Sequence, residues 1–432
     1  MTAPADDTTG AKTMRTVALR VLPILLAAYL AAYIDRVNVG FAALTANQDL
    51  GLTSVQYGFG AGLFFLGYCG AQVPSNLAML RFGPRIWFAR ILITMGLIAA
   101  ATAFVVGPQS FYWARLALGI AEAGLLPGAI YYFRRWFPAA FRARFIAVFL
   151  LAIPLSSLLG APISGFLLGL DGLLGLKGWQ WMYILEGLPC VVFGVMMPWF
   201  IADDPARVTW LTPAQRDWLI DALRREDAAL TVRGPEPAWW TLCLDPRVLT
   251  YGFAFCGMTA GGYGLSFWLP LMVKAHGLSN IATGFVVAIP FAVGCAATVL
   301  WAWDSDRSGE RVWHVVLPGL VAAVGLCVCA AVDGLTAGII ALTFAALGIY
   351  GVRGPYFALQ SEEFAGAAAA PGIAWIDTIA ATGGFLGPYI VGWVRQETGG
   401  FSASLLALAA MATIGAGIVL LRVVLVRSFA RR

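Results

Sequence analysis

Six ionisable residues stand inside apolar stretches where charge is expensive: Asp35, Arg36, Arg115, Glu122, Arg353 and Asp377, with Glu186 placed further out. An ionised Asp or Arg at the centre of a membrane helix costs roughly 2.5 to 3.5 kcal/mol on insertion scales. Asp35 and Arg36 are adjacent, about 100° apart around a helix, so they do not neutralise each other on one face. Arg115 and Glu122 lie two turns apart and share a face. The six charges cancel, three against three. Protonating any one carboxylate leaves the group positive, which favours an anion. A carboxylate removed from water is costly to keep charged, so a proton can be held there and released. This chemistry couples a proton to an anion and makes no covalent bond. No nucleophile–base constellation appears. His276 and His314 fall at helix ends, and Cys69, Cys190, Cys243, Cys256, Cys295, Cys327 and Cys329 form no spaced metal set. Neither an enzyme, nor a metal, nor a cofactor is expected.

The elements that position these residues are membrane helices. The chain is 60% hydrophobic and 12% charged over 432 residues, with a mean hydropathy of +0.80. Soluble domains carry about 25% charge. Cutting the apolar runs at charged or Pro/Gly-rich breaks gives twelve spans, near 17–44, 55–80, 86–107, 111–134, 143–170, 180–201, 248–273, 281–303, 312–332, 336–361, 368–394 and 401–427. The expected layout is a disordered polar tail over 1–16, a six-helix bundle over 17–201, a cytoplasmic linker over 202–247, a second bundle over 248–427 and a tail over 428–432. In the linker, Thr212 and Pro213 read as N-cap and first position of a short helix. The start of the chain lacks the layout of a cleaved signal.

Arginines crowd alternate loops: Arg81, Arg85 and Arg90; Arg134, Arg135, Arg142 and Arg144; Arg307 and Arg311; Arg427, Arg431 and Arg432. The intervening loops hold little beyond Lys177, Lys274 and Arg395. Both termini and the linker are therefore expected in the cytoplasm, in a bacterial inner membrane. The net charge of +5 follows from this bias and gives no reason to expect nucleic acid. The two halves also repeat. Arg81-Phe82-Gly83-Pro84-Arg85 follows the second span and Arg307-Ser308-Gly309-Glu310-Arg311 the eighth. Leu159 to Gly165 and Leu386 to Gly392 share a Gly-x-x-x-x-Gly pattern at nearly the same offset. Parallel repeats of this kind place a site between the halves near the midplane.

Four stretches carry a resemblance: Tyr33 to Ala42; Gly67-Tyr68 through Gln72-Val73-Pro74-Ser75-Asn76; Ala121-Glu122-Ala123-Gly124 with Pro127-Gly128 and Arg135-Trp136-Phe137-Pro138; and Gly383 to Pro388. On these the whole chain resembles the major facilitator superfamily and, within it, the anion:cation symporter family. The resemblance implies an all-α membrane protein of twelve helices in two pseudo-twofold halves, a monomer that takes up an organic carboxylate with protons by alternating access. It implies Asp35 and Glu122 as proton-binding carboxylates, with Arg115 tuning Glu122. Arg36 would hold the substrate carboxylate, since a guanidinium offers two parallel donors; otherwise it is a permanent partner of Asp35 or Glu122. Two rivals differ in kind: proton-independent anion exchange on the same fold, and a receptor on a transporter scaffold.

Arg353 and Asp377 depart from the family pattern. Relatives have small or aromatic residues where Arg353 stands, and commonly Asn at the position of Asp377. If the two pair, one free arginine suits a monocarboxylate; if they do not, two arginines suit a dicarboxylate. Tyr33, Tyr68, Gln72, Ser156, Tyr263 and Trp268 complete the expected substrate cavity, while Glu186 reads as structural. Arg81, Gly83, Arg85, Asp304, Arg307 and Arg311 are expected to latch the cytoplasmic ends, although Leu80 stands where the first latch usually has Asp. Glycines at Gly160, Gly165, Gly169, Gly383, Gly387 and Gly392 would let helices approach and slide.

Overall fold

The computed structural model describes residues 5–231, 239–364 and 369–429, and within them every long element is a helix. The first crossing is α1 (Ala5–Val37) with α2 (Val39–Asp49), and the second is α3 (Ser54–Phe82). Then come α4 (Pro84–Ala101), the pair α5 (Gly107–Glu122) and α6 (Leu125–Trp136), the pair α7 (Ala139–Leu150) and α8 (Ala152–Leu167), and α9 (Gly178–Phe200). The surface helix α10 (Pro213–Thr231) separates these from α11 (Pro246–Lys274), α12 (Asn280–Ser308) and α13 (Val312–Ala331). The pair α14 (Leu335–Gly351) and α15 (Arg353–Glu363), then α16 (Ala369–Thr398) and α17 (Ser402–Phe429), complete twelve crossings.

Among the described residues nine crossings are long and apolar enough to span a membrane by length and composition. The other three, α3, α11 and α16, have the length, at 29, 29 and 30 residues, but glycines and aromatic hydroxyls dilute their apolarity. Among the described residues α11 and α16 pack along each other more extensively than any other pair of helices, and α16 also runs along α3. A span that faces protein on most sides needs less lipid-compatible surface.

The expected tail is in fact helix from Ala5 onward, continuous with the first crossing. A Cβ on its Gly10 would meet Trp218 of α10 at 2.6 Å, so α10 packs against this first part of α1. Thr212 caps α10 through its side chain, accepting from Gln215 N at 3.3 Å while Gln215 Oε1 accepts from Thr212 N at 3.1 Å.

Among the described residues one crossing is broken outright, the fourth at Ala123-Gly124; the first, fifth and tenth are interrupted at Asn38, Leu151 and Val352, where the backbone angles stay helical and these residues keep their hydrogen bonds one turn back and one turn on. Glu122 is the last residue before the break and Arg353 the first after the interruption at Val352. The fourth and tenth crossings depart from regular helix at corresponding places in the two halves, the arrangement that marks binding sites in repeat-built transporters. Gly124 has φ +93, and a Cβ there would collide with the Ser75 hydroxyl. That hydroxyl donates to the Ala123 carbonyl freed by the break and accepts from Trp87 Nε1 at 3.0 Å. Buried backbone released from a helix must be satisfied in this way.

The halves meet on the side away from the termini. There a Cβ on Gly284 would sit 2.6 Å from the Ala161 carbonyl, one on Gly165 2.6 Å from Asn280 O, and one on Gly40 3.0 Å from Phe267 O. Gly58 and Gly392 are equally close to Pro388 O and Ser54 O. On the terminal side they part. The α3 stripe that packs across the seam at Gly58, Gly62, Phe65 and Cys69 continues as Val73 and Leu80, 55% and 60% exposed. Because the Gly284 obstacle is backbone, no rotamer relieves it. Gly284→Leu is expected to hold the far side open: helix content by circular dichroism stays unchanged, and alkylation of a cysteine introduced at Ser157, behind this seam, accelerates several-fold.

Candidate functional site

The last turn of α1 brings Arg36 under the seam. Its Nε donates to Glu122 Oε1 at 3.1 Å, and its Nη2 pairs with the same oxygen. Its Nη1 donates across the seam to the Tyr263 hydroxyl at 3.1 Å, and Tyr33 OH donates to that hydroxyl at 2.9 Å. The guanidinium carbon lies 4.8, 5.2 and 5.2 Å from the ring centroids of Tyr33, Phe64 and Tyr68. One cation is thus enclosed by three rings, one carboxylate and a hydroxyl from the opposite half. Such a desolvated pair is no cheap source of stability, because dehydrating two ions offsets their attraction; the ring faces soften that cost. Glu122 Oε2 has no hydrogen-bond partner.

Arg115 is buried beside this pair but does not bond Glu122. Its Nη2 donates to the carbonyls of Arg36 and Ala61, each at 3.4 Å, so it fixes the backbone that carries Arg36 and acts on Glu122 only through space. The shared helix face gives proximity; the guanidinium that reaches Glu122 comes from α1.

Asp35 points the other way, toward α9. The Cys190 thiol and Glu186, one turn apart on that helix, face it, and no nitrogen or oxygen donor reaches either of its oxygens. Ser164 donates to Glu186 Oε1 at 2.7 Å, and Asn38 lies beside the same carboxyl. A cavity of about 10 Å³, room for roughly one water, is lined by Asn38, Ser157, Ser164 and Ser266. It lies between Asn38 and Ser164, the neighbours of Glu186, and Ser266 and Phe291 of the other half. Sequence reading missed Asn38 and Cys190 as members of the acid cluster and set Glu186 apart; Asn38 had the only available signal, a polar residue ending the Asp35-Arg36 turn.

Other expected residues are sorted by the structure. Tyr33, Tyr68 and Tyr263 surround Arg36. Gln72 lies one turn beyond Tyr68, half-buried, on the side that opens. Ser156 is not in the cavity: its hydroxyl donates back to Ile153 O at 2.8 Å and the residue is fully buried. Ser157, one residue further round the helix, faces Tyr350 and the small cavity instead. Trp268 is also not a cavity residue. Its Nε1 donates to Pro388 O at 3.1 Å, tying α11 to α16, and its ring meets Tyr57 of α3 edge-on at 4.8 Å, across the closed side of the seam. Arg353 and Asp377 do not pair. Arg353 lies 5.7 Å over the Tyr350 ring, whereas Asp377 neighbours Tyr356.

The latch residues act within each half. Gly83 has φ +84 between α3 and α4, and the missing acid of the first latch comes from Asp203, which accepts from Arg85 N at 2.9 Å. Arg81 stacks on Phe82 at 5.5 Å. In the second, Arg311 bonds Asp306 at 2.7 Å and Glu362 at 3.2 Å, Asp304 bonds His314 at 3.0 Å, and Arg307 stacks on Trp303 at 5.4 Å. Burial works against the Arg311 charge, but its bonds to Asp306 and Glu362 raise its affinity for the proton on balance. With the terminal side parted, no ion pair among the described residues crosses between the halves there.

Comparison with known proteins agrees with this architecture. The pattern of the Major Facilitator Superfamily matches residues 25–388. A protein of Agrobacterium vitis bearing the provisional name tartrate transporter is 43% identical over 97% of this chain and 92% of its own length. The quinolone resistance transporter of Acinetobacter baumannii is 36% identical over 93% of each. Among solved structures, a bacterial homolog of the human lysosomal transporter Spinster, inward-facing and occupied, matches with a TM-score of 0.73 at 18% identity, covering 93% of this chain and 95% of that one. With twelve crossings in two halves, a charged site at their seam and these relatives, the chain is a multi-pass membrane transporter rather than an enzyme, and it belongs to the major facilitator superfamily.

Proposed function

We propose that the protein takes up an organic carboxylate together with protons, by rocking of its halves about the seam. The observation that carries this reading is the Arg36–Glu122 pair. An internal carboxylate occupies the guanidinium that a substrate carboxylate needs, in contact with Tyr263 of the other half. Two anions compete for one fork of donors. A proton on Glu122 removes the internal competitor, so proton and substrate are taken together. Asp35 is the second acid in the scheme. In this conformation it is closed off, and the water-sized cavity beside Asn38 and Ser164 gives it a connection to the seam when the halves move. Tartrate and the quinolones named for the relatives are carboxylic acids, which agrees with a guanidinium anchor.

The arginine-rich loops lie on the side of the termini, so the bias toward cytoplasmic arginine orients the parted side inward, in an inner membrane. The functional unit is one chain. Purified protein in liposomes, loaded with a pH gradient and offered labelled organic acids, tests the reading. Net accumulation that follows the gradient is expected, and flux indifferent to the gradient would favour simple exchange.

The corrected assignment of the aromatic residues has its own test. Tyr263→Phe removes a hydroxyl held by Arg36 and Tyr33, and is expected to weaken substrate binding about tenfold, the scale of a hydrogen bond to a charged group. Trp268→Phe leaves affinity within about twofold and lowers thermal stability instead, because only packing and one bond to Pro388 are lost. Titration calorimetry and a thermal melt separate the two.

A further inference from the structure

Arg353 follows the interruption at Val352 in the tenth crossing, half-buried, at the place in the second half that corresponds to the break beside Glu122. It lies within electrostatic reach of the hydroxyls of Tyr33, Tyr263, Tyr350 and Tyr29. Among the described residues no carboxylate pairs with it, and the acid that the sequence offered, Asp377, lies by Tyr356 instead. A guanidinium at membrane depth without a carboxylate partner is costly, and an anion entering between the halves would supply one. The hydroxyl-to-hydroxyl bond of Tyr33 and Tyr263 stands within reach of both Arg36 and Arg353.

We propose that Arg36 and Arg353, one from each half, hold the two ends of a hydroxylated dicarboxylate, with the Tyr33 and Tyr263 hydroxyls against the groups between. This rests on the carboxylate-transport reading above and narrows it to a substrate class. The two guanidiniums decide for two carboxylates over one. Among the described residues Arg36 has Glu122 as its carboxylate partner and Arg353 has none, so once Glu122 is protonated a dianion meets both arginines, whereas a monoanion leaves one of them without a carboxylate. The clamp also gives the substrate a reason to draw the halves together, since each arginine belongs to a different half.

The test uses the purified full chain and a matched pair of ligands: tartrate, and threonate, which has the same carbon skeleton with one carboxylate replaced by an alcohol. The parent is expected to bind tartrate at least about tenfold tighter than threonate. Arg353→Gln should weaken tartrate about 100-fold, the scale of truncating one partner of a buried charged contact, and change threonate less than about threefold. Arg353→Lys should fall between, keeping the charge without the fork. An equal loss for both ligands, no loss for either, or a parent that prefers threonate overturns the clamp. So does a parent that binds neither. Failure of the underlying transport reading looks different: parent liposomes then accumulate neither acid, whatever residue stands at position 353.

Discussion

Arg36→Gln is expected to lower saturable carboxylate uptake by about 100-fold or more and to destabilise the protein by roughly 3 to 5 kcal/mol, the cost of leaving a buried charge without its partner. Both effects come from the same place. Glu122 is fully buried, its one hydrogen-bonded oxygen is bonded by Arg36 alone, and its other oxygen has no partner. The two effects separate in the double variant Arg36→Gln/Glu122→Gln. Neutral amides at both positions remove the orphaned charge, so stability returns to within about 1 kcal/mol of the parent, but no guanidinium remains for the substrate and uptake stays lost. Thermal melts and uptake in liposomes read the two quantities independently. Recovery of uptake in the double variant would make Arg36 a structural partner and nothing more.

The second large effect is of opposite sign. Glu122→Gln keeps shape and an acceptor oxygen but removes the anion that competes for Arg36. At neutral pH this variant is expected to bind substrate about tenfold tighter than the parent. The parent's affinity should rise as pH falls, because protonation of Glu122 frees the guanidinium; the variant's affinity should be flat over the same range. Titrations of both proteins at acidic and neutral pH check this. A variant that binds more weakly than the parent at every pH would show that the carboxylate recruits the substrate rather than excluding it.

Much of this architecture was legible in the chain because depth in a membrane is written in composition. The twelve crossings, the repeat of the two halves and the charges at their centre follow from apolar runs and from where those runs are interrupted. What a linear reading does not carry is rotation. A helix turns about 100° per residue, so neighbours in sequence face different partners. Ser156 bonds back into its own helix while Ser157 takes the seam. Arg353 lies over Tyr350, away from Asp377. Adjacent Asp35 and Arg36 show the same geometry, one facing α9 and the other the seam.

Residues that meet across long stretches of sequence were illegible for a different reason. Asp203 completes the latch at Gly83 from beyond the sixth crossing, and Cys190 and Glu186 reach Asp35 from a helix about 150 residues later. Aromatic residues were the least legible. Tyr263 and Trp268 lie five residues apart on α11, yet one bridges the halves at the site and the other seals them at the closed side.

Proton movement measured alongside substrate is the most direct test. Protein is reconstituted with a pH-sensitive dye in the lumen, and an inward gradient of tartrate is imposed without any pH gradient. Luminal acidification that grows with tartrate entry is predicted for the parent, and none for Glu122→Gln, although that variant still exchanges labelled tartrate. Substrate entry in the parent without acidification, or acidification that persists when Glu122 is an amide, would contradict the claim that this buried carboxyl group carries the proton.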